Sequence, residues 1–204
     1  METKRCMKII LMGGLRSKGG FANRFTGEGN WDEDREVIGV DFCSTEVQTV
    51  QESVRLQVWD MAESERFRAI TFSYLRGAHV ILYFTNLCNE AGLVDCKRQI
   101  EECPAPESAA CVVVGNRPHD GARVISREDA QEFADEFHMP YLECCVTTGE
   151  GFDEIMDLVK RCAAGEDISY GPRVAEVRKE IIELKEKRAR LERKLKVPVQ
   201  RERR

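Results

Sequence analysis

VIGVDFCSTEVQTVQESVRLQVWDMAESERFRAITFSYLRGAHV, residues 37 to 80, decides the fold. Two runs inside it, Val40 to Val47 and Val54 to Trp59, alternate in the manner of half-buried strands. A polar turn around Gln51 and Glu52 joins them. A charged segment able to form a helix follows, and a further strand begins near His79. Working outward, Val80 to Thr85 (VILYFT) and Ala109 to Gly115 (AACVVVG) are uninterrupted apolar runs, the pattern of parallel strands buried on both faces. Upstream, Met7 to Met12 is a short apolar run ending at Gly13-Gly14, and Lys18 to Phe25 opens a helix. Helical segments are also expected over Gly92 to Cys103, stopped by Pro104 and Pro106, and over Phe152 to Ala163. A fifth, Ser126 to His138, has an N-cap serine and an acidic first turn.

The bulk composition narrows the function classes. A chain of 204 residues fits one domain plus an appendage. A hydrophobic fraction of 42% suffices for a packed core. The net charge of −5 argues against nucleic acid as a partner, because phosphate neutralisation supplies most of that affinity. No apolar run approaches the roughly 18 residues of a membrane span, and METKRCMKIILM at the N-terminus lacks a signal-peptide layout. The nine cysteines are odd in number and irregularly spaced, without a CxxC pair. They are expected to be reduced, small, buried hydrophobes of a cytoplasmic protein, with redox or metal chemistry as the alternative.

Four stretches of the opening segment, IGVDF (Ile38 to Phe42), LQVWD (Leu56 to Asp60), RFRAIT (Arg66 to Thr71) and YLRGAH (Tyr74 to His79), resemble the Rab branch of the Ras-like small GTPases. The resemblance runs from about Lys4 to Cys162 and implies a Ras-like α/β fold: a six-stranded, mostly parallel sheet flanked by helices. It also implies that residues 37–80 span two switch segments and the strands between them, the face that protein effectors read. Ile38 and the aromatic triad Phe42, Trp59 and Tyr74 are the partner-binding candidates there. Plain packing between sheet and helix accounts for the same aromatics equally well.

Against the family's nucleotide motifs the chain departs repeatedly. The phosphate-binding pattern G-x-x-x-x-G-K-(S/T) uses backbone N–H groups and a lysine for phosphate and a hydroxyl for Mg²⁺. Here the segment is MGGLRSKGG. Lys18 is kept, Ser17 replaces the second glycine, and Gly19 stands where the hydroxyl belongs; either Met12 or Gly13 takes the first glycine place. The switch threonine before IGVDF is Val37, and the base-stacking aromatic falls on Asn30, with Trp31 one place later. WDTAGQERF becomes WDMAESERF: Asp60 is kept, Glu63 replaces the phosphate-facing glycine, and Ser64 replaces the glutamine that orients the attacking water. In N-K-x-D, Asn116 is kept, Arg117 replaces the lysine, His119 takes the aspartate place, and Asp120 comes one residue late, after Pro118. ETSAK becomes ECCVT, Glu143 to Thr147. No catalytic residue is therefore expected. If nucleotide is retained, Lys18, Ser17, Gly19, Asp60, Asn116, Arg117 and Asp120 would hold GTP or GDP, with Mg²⁺ at Asp60; otherwise no cofactor is expected. Each lost charged or bidentate contact is worth about 1–3 kcal/mol, so several together reduce a tight affinity to micromolar or weaker.

The resemblance implies a tail ending in prenylated cysteines. This chain has none after Cys162, so no prenyl anchor is expected. Instead, after Gly171-Pro172, RVAEVRKEIIELKEKRARLERKLK places Val174, Val177, Ile181, Leu184, Leu191 and Leu195 in heptad spacing, with Arg188 in one slot. A coiled coil with itself or a partner helix is expected, against a solvated charged helix or a membrane-surface helix. The expected organisation is a G domain over 1–166, a linker over 167–172, a charged helix over 173–196 and a basic disordered tail over 197–204. Three functions fit, and the first is the one expected: a non-hydrolysing interaction scaffold acting through the switch-like face and the C-terminal helix. The second is a GTP/GDP switch in vesicle or intracellular transport, and the third a structural component of a cytoskeletal or transport assembly.

Overall fold

In the computed structural model, the residues described are 5–14, 18–27, 37–62, 68–117, 119, 121–166, 168 and 187. The chain divides into two units, Met1–Ser169 and Tyr170–Arg204. In the second, Lys187 is described, and it is helical and exposed. The heptad residues Ile181, Leu184 and Leu191, and the basic tail over 197–204, lie outside the described residues.

The first unit alternates strands and helices: β1 (Cys6–Met12), α1 (Lys18–Thr26), β2 (Val40–Gln48), β3 (Ser53–Met61), α2 (Arg68–Leu75), β4 (Val80–Asn86), α3 (Gly92–Glu102), β5 (Ala110–Asn116), α4 (Arg127–Glu136), β6 (Tyr141–Cys144) and α5 (Phe152–Ala163). One six-stranded sheet has the order β2-β3-β1-β4-β5-β6. Its pairs are parallel except β2 with β3, where Phe42 faces Trp59 across an antiparallel register. This is the expected Ras-like α/β architecture. The hairpin turn is held by Thr49, whose hydroxyl donates to the Glu52 carbonyl at 2.8 Å and accepts from the Gln51 and Glu52 amides.

The alternation of each strand separates two apolar layers. Ile9, Leu11, Leu82 and Phe84 point into a core shared with Phe21, Phe25, Ile155 and Val159 of α1 and α5. Ile10, Met12, Ile81 and Tyr83 point the other way, towards Leu75, Cys96, Ala130 and Phe133 of α2, α3 and α4. β4 is buried through its first six residues, which explains its uninterrupted apolar run. None of the nine cysteines is in a disulfide; four are buried, four half-buried, and Cys6 is exposed. Burial pushes the Cys96 and Cys144 thiols up to about 12, making them neutral packing groups.

Two helix ends differ from the sequence expectation. α4 stops at Glu136 rather than His138, because His138 takes a left-handed φ of 57° that reverses the chain towards β6. α3 stops one residue short of Cys103. Among the described residues no helix is long and apolar enough to cross a membrane.

Candidate functional site

The carboxyl ends of the parallel strands bring the retained motif residues to one side of the sheet, where ligands of open α/β sheets bind. At the end of β1, Gly13 has φ 122°, and a side-chain carbon there would overlap the Phe84 carbonyl of β4. Only glycine lets the chain leave β1 along that path.

Lys18 opens α1 yet is 4% exposed. Its ammonium donates to the Met61 carbonyl at 2.6 Å and lies 3.4 Å from Asp60 Oδ1. Asp60, near the end of β3, is 1% exposed. A buried ammonium needs such partners, since leaving a charge unanswered in the interior costs several kcal/mol. Gly19 lies beside the same carboxylate: a side-chain carbon at position 19 would stand 3.9 Å from Asp60 Oδ2, ordinary contact distance. The missing hydroxyl is therefore not a matter of space.

Asn116 closes β5 and is 1% exposed. Its Oδ1 accepts the Val146 amide at 3.0 Å, and its carbonyl accepts the Leu87 amide at 2.9 Å. The Arg117 amide donates to the Cys144 carbonyl at 2.9 Å, while its exposed guanidinium lies 3.7 Å from Glu150. His119 is exposed in a turn. A cavity of about 200 Å³ beside this corner is lined by Arg117, Arg127, Glu143, Cys145 and Glu150, among others. Glu143 is tied at 2.5 Å to Arg123 and accepts the Tyr141 hydroxyl at 2.8 Å; burial and that carboxylate raise the Tyr141 phenol.

The partner-binding candidates gather on the other flank. Phe42 and Trp59 have ring centroids 4.5 Å apart, and Trp59 and Tyr74 5.1 Å apart. Lys8 places its ammonium 5.3 Å from the Trp59 ring centroid and 5.7 Å from that of Tyr74, while donating to the Arg76 carbonyl. Ile38 is 83% exposed and Phe42 48%. The triad packs together and leaves part of Phe42 exposed.

Ser17, Trp31, Glu63, Ser64, Pro118 and Asp120 lie outside the described residues. Residue patterns did not single out Lys8 or Arg24, nor the Met61 carbonyl as the partner of Lys18. In the sequence Arg24 falls within the helical segment Lys18 to Phe25, with no role attached to it.

The Ras family model matches residues 8–164. This chain belongs to the Ras family. Its relatives place it on the Rab-like side, at 31–35% identity. Ras-related protein RABD2b of Arabidopsis thaliana is 34% identical over 134 residues, covering 64% of this chain and 66% of that protein. Ras-related protein Rab-1C of Dictyostelium discoideum is 33% identical over 135 residues, 65% of each. The GTP-binding protein YPTM1 of Zea mays is 32% identical over 166 residues, 78% of this chain and 80% of that protein. The chain thus spans just under two thirds of the Arabidopsis and Dictyostelium relatives. In the Rab-like chain, Lys18, Gly19, Asp60, Asn116 and Arg117 stand at the sheet's carboxyl ends, each with the internal contacts given above.

Proposed function

We propose that this Rab-like protein is an interaction scaffold that does not turn over GTP. The observation that carries the proposal is the internal pairing of Lys18. Its ammonium and the Asp60 carboxylate, the two charges the family motif would set against phosphate and Mg²⁺, answer each other, with the Met61 carbonyl completing the set. A metal ion would have to compete with that ammonium for Asp60, and Gly19 offers it no side-chain oxygen. The residues present do not fit a Mg²⁺ site. Three sequence changes support the same conclusion: Val37 cannot ligate, Glu63 brings negative charge towards a phosphate position, and Ser64 cannot take the glutamine's part in orienting water.

What the scaffold offers to protein partners is the flank of Ile38, Phe42, Trp59 and Tyr74, an aromatic cluster with exposed apolar rim residues. The heptad pattern of residues 173–196 supports a second contact, a coiled coil with itself or a partner helix. A GTP/GDP switch in intracellular transport is the competing function. The convergence of Lys18, Asp60 and Asn116 at the sheet's carboxyl ends favours it.

Nucleotide content decides between them. Protein purified without added nucleotide, heat-released and chromatographed, is expected to yield no guanine nucleotide, and calorimetry with Mg²⁺-GTP to give no heat. Stoichiometric GDP or GTP would overturn the scaffold and establish the switch.

A further inference from the structure

Arg24 lies in the last turn of α1, two turns along from Lys18. Its Nε donates to the Val146 carbonyl at 3.0 Å and its Nη2 to the Thr147 carbonyl at 2.6 Å. Both carbonyls belong to the β6–α5 connection, 145–151. The same Val146 peptide is held from its other end, where its N–H donates to Asn116 Oδ1 at 3.0 Å. The guanidinium also lies beside Gly149, which has φ 83°; a side-chain carbon there would run into Arg24 Nη1. The connection closes on itself as well, with the Gly149 amide on the Cys145 carbonyl at 2.8 Å and the Cys145 amide on the Glu150 carbonyl at 2.9 Å. Beneath it, Phe21 and Phe25 of α1 meet Phe152 of α5 at centroid distances of 5.3 and 5.4 Å.

We infer that Arg24 is the positioning residue of the β6–α5 connection, holding it in one conformation from within the chain, without a ligand to order it. A guanidinium suits this task because its planar fork sends N–H groups in fixed directions, so one side chain spans two successive carbonyls. An ammonium is a point charge without that geometry. α1 is thereby braced at both ends, by Lys18 on the end of β3 and by Arg24 on the β6–α5 connection. The inference deepens the scaffold function and rests on it in one respect: a chain that orders its own site has no need of a nucleotide to do so.

Amide hydrogen exchange on the full chain, free of nucleotide, tests it. The Cys145, Val146 and Gly149 amides are expected to be protected, and Arg24→Ala to speed their exchange about tenfold while amides of β4 keep their wild-type rates. Arg24→Lys is expected to behave as Arg24→Ala rather than as wild type. Gly149→Ala, whose side-chain carbon would both run into the guanidinium and strain a left-handed residue, is expected to speed the same amides. Wild-type exchange at these amides in Arg24→Ala, full rescue by lysine, or an equal rise in β4 would each overturn the inference. The two proposals fail separately. Guanine nucleotide in the purified protein removes the scaffold, whereas an empty protein whose Arg24→Ala variant exchanges normally removes the positioning role.

Discussion

Lys18 carries a positive charge to a place where 4% of it is exposed, so its partners decide whether it helps or harms. In nucleotide-free protein, Lys18→Met takes the ammonium from the buried Asp60 carboxylate and is expected to lower stability by about 3–5 kcal/mol in urea unfolding. A loss below about 1 kcal/mol would mean that the lysine waits for phosphate rather than serving the fold. His79 offers a milder test of the same chemistry. Its Nδ1 accepts the Lys8 amide at 3.1 Å. Burial first, then Arg5 and Lys8, hold its folded pKa below the ordinary value of 6.5. With the folded value depressed, the unfolded chain takes up the proton first as pH falls. The contribution is therefore present above about pH 6.5 and is lost as pH falls through the depressed folded value. His79 is exposed, so the effect is small. Melting curves of wild type and His79→Gln, compared from pH 7 to pH 5, should show a steeper fall in the wild type.

At the scale of elements, local chemistry and tertiary demand agree in some places and part in others. Ser126 caps α4 as its sequence position promises: its hydroxyl oxygen accepts the Asp129 amide at 3.0 Å, and the hydroxyl bonds Asp129 Oδ2 at 2.7 Å. Ser126→Ala should cost about 1 kcal/mol, a fall of about 2–4 °C in the melting midpoint. The other end of α4 shows the limit of local reading. The amphipathic pattern runs on to His138, but the chain must turn there to lay Tyr141 beside Val113, and His138 adopts a left-handed conformation to do it. β2 and β3 were legible from alternation, and β4 and β5 from their unbroken apolar runs. Those patterns are consequences of how many faces each strand buries.

The whole molecule combines a Ras-type sheet with a site whose charged groups answer one another and a flank of aromatic surface. The proposed function at this scale depends on partners. Deleting residues 173–204 is expected to dissolve a dimer or a partner complex seen in sedimentation, and an unchanged mass would refute the coiled coil. The family was readable from IGVDF, LQVWD and the neighbouring stretches, and the Ras family match over residues 8–164 agrees. The state of the site was only half readable. Sequence marks the missing hydroxyl at Gly19 and the misplaced Asp120, because those are changes of residue type at motif positions. It cannot mark what a retained residue bonds to instead.

The sequence by itself determined β1 to β5 and the helices between them, the burial of β4 and β5 on both faces, the Rab-like resemblance and the identity of the substituted motif residues. Each of these is written in side-chain type, periodicity or local capping, which act within a few residues. Only the tertiary structure decided that Lys18 turns to the Met61 carbonyl, 43 residues away, and that Arg24 grips carbonyls 122 and 123 residues away. Backbone carbonyls are the same chemical group at every position, so no residue pattern distinguishes the one that will receive a distant cation. That choice follows from where the packed sheet brings the ends of β3 and β6 relative to α1.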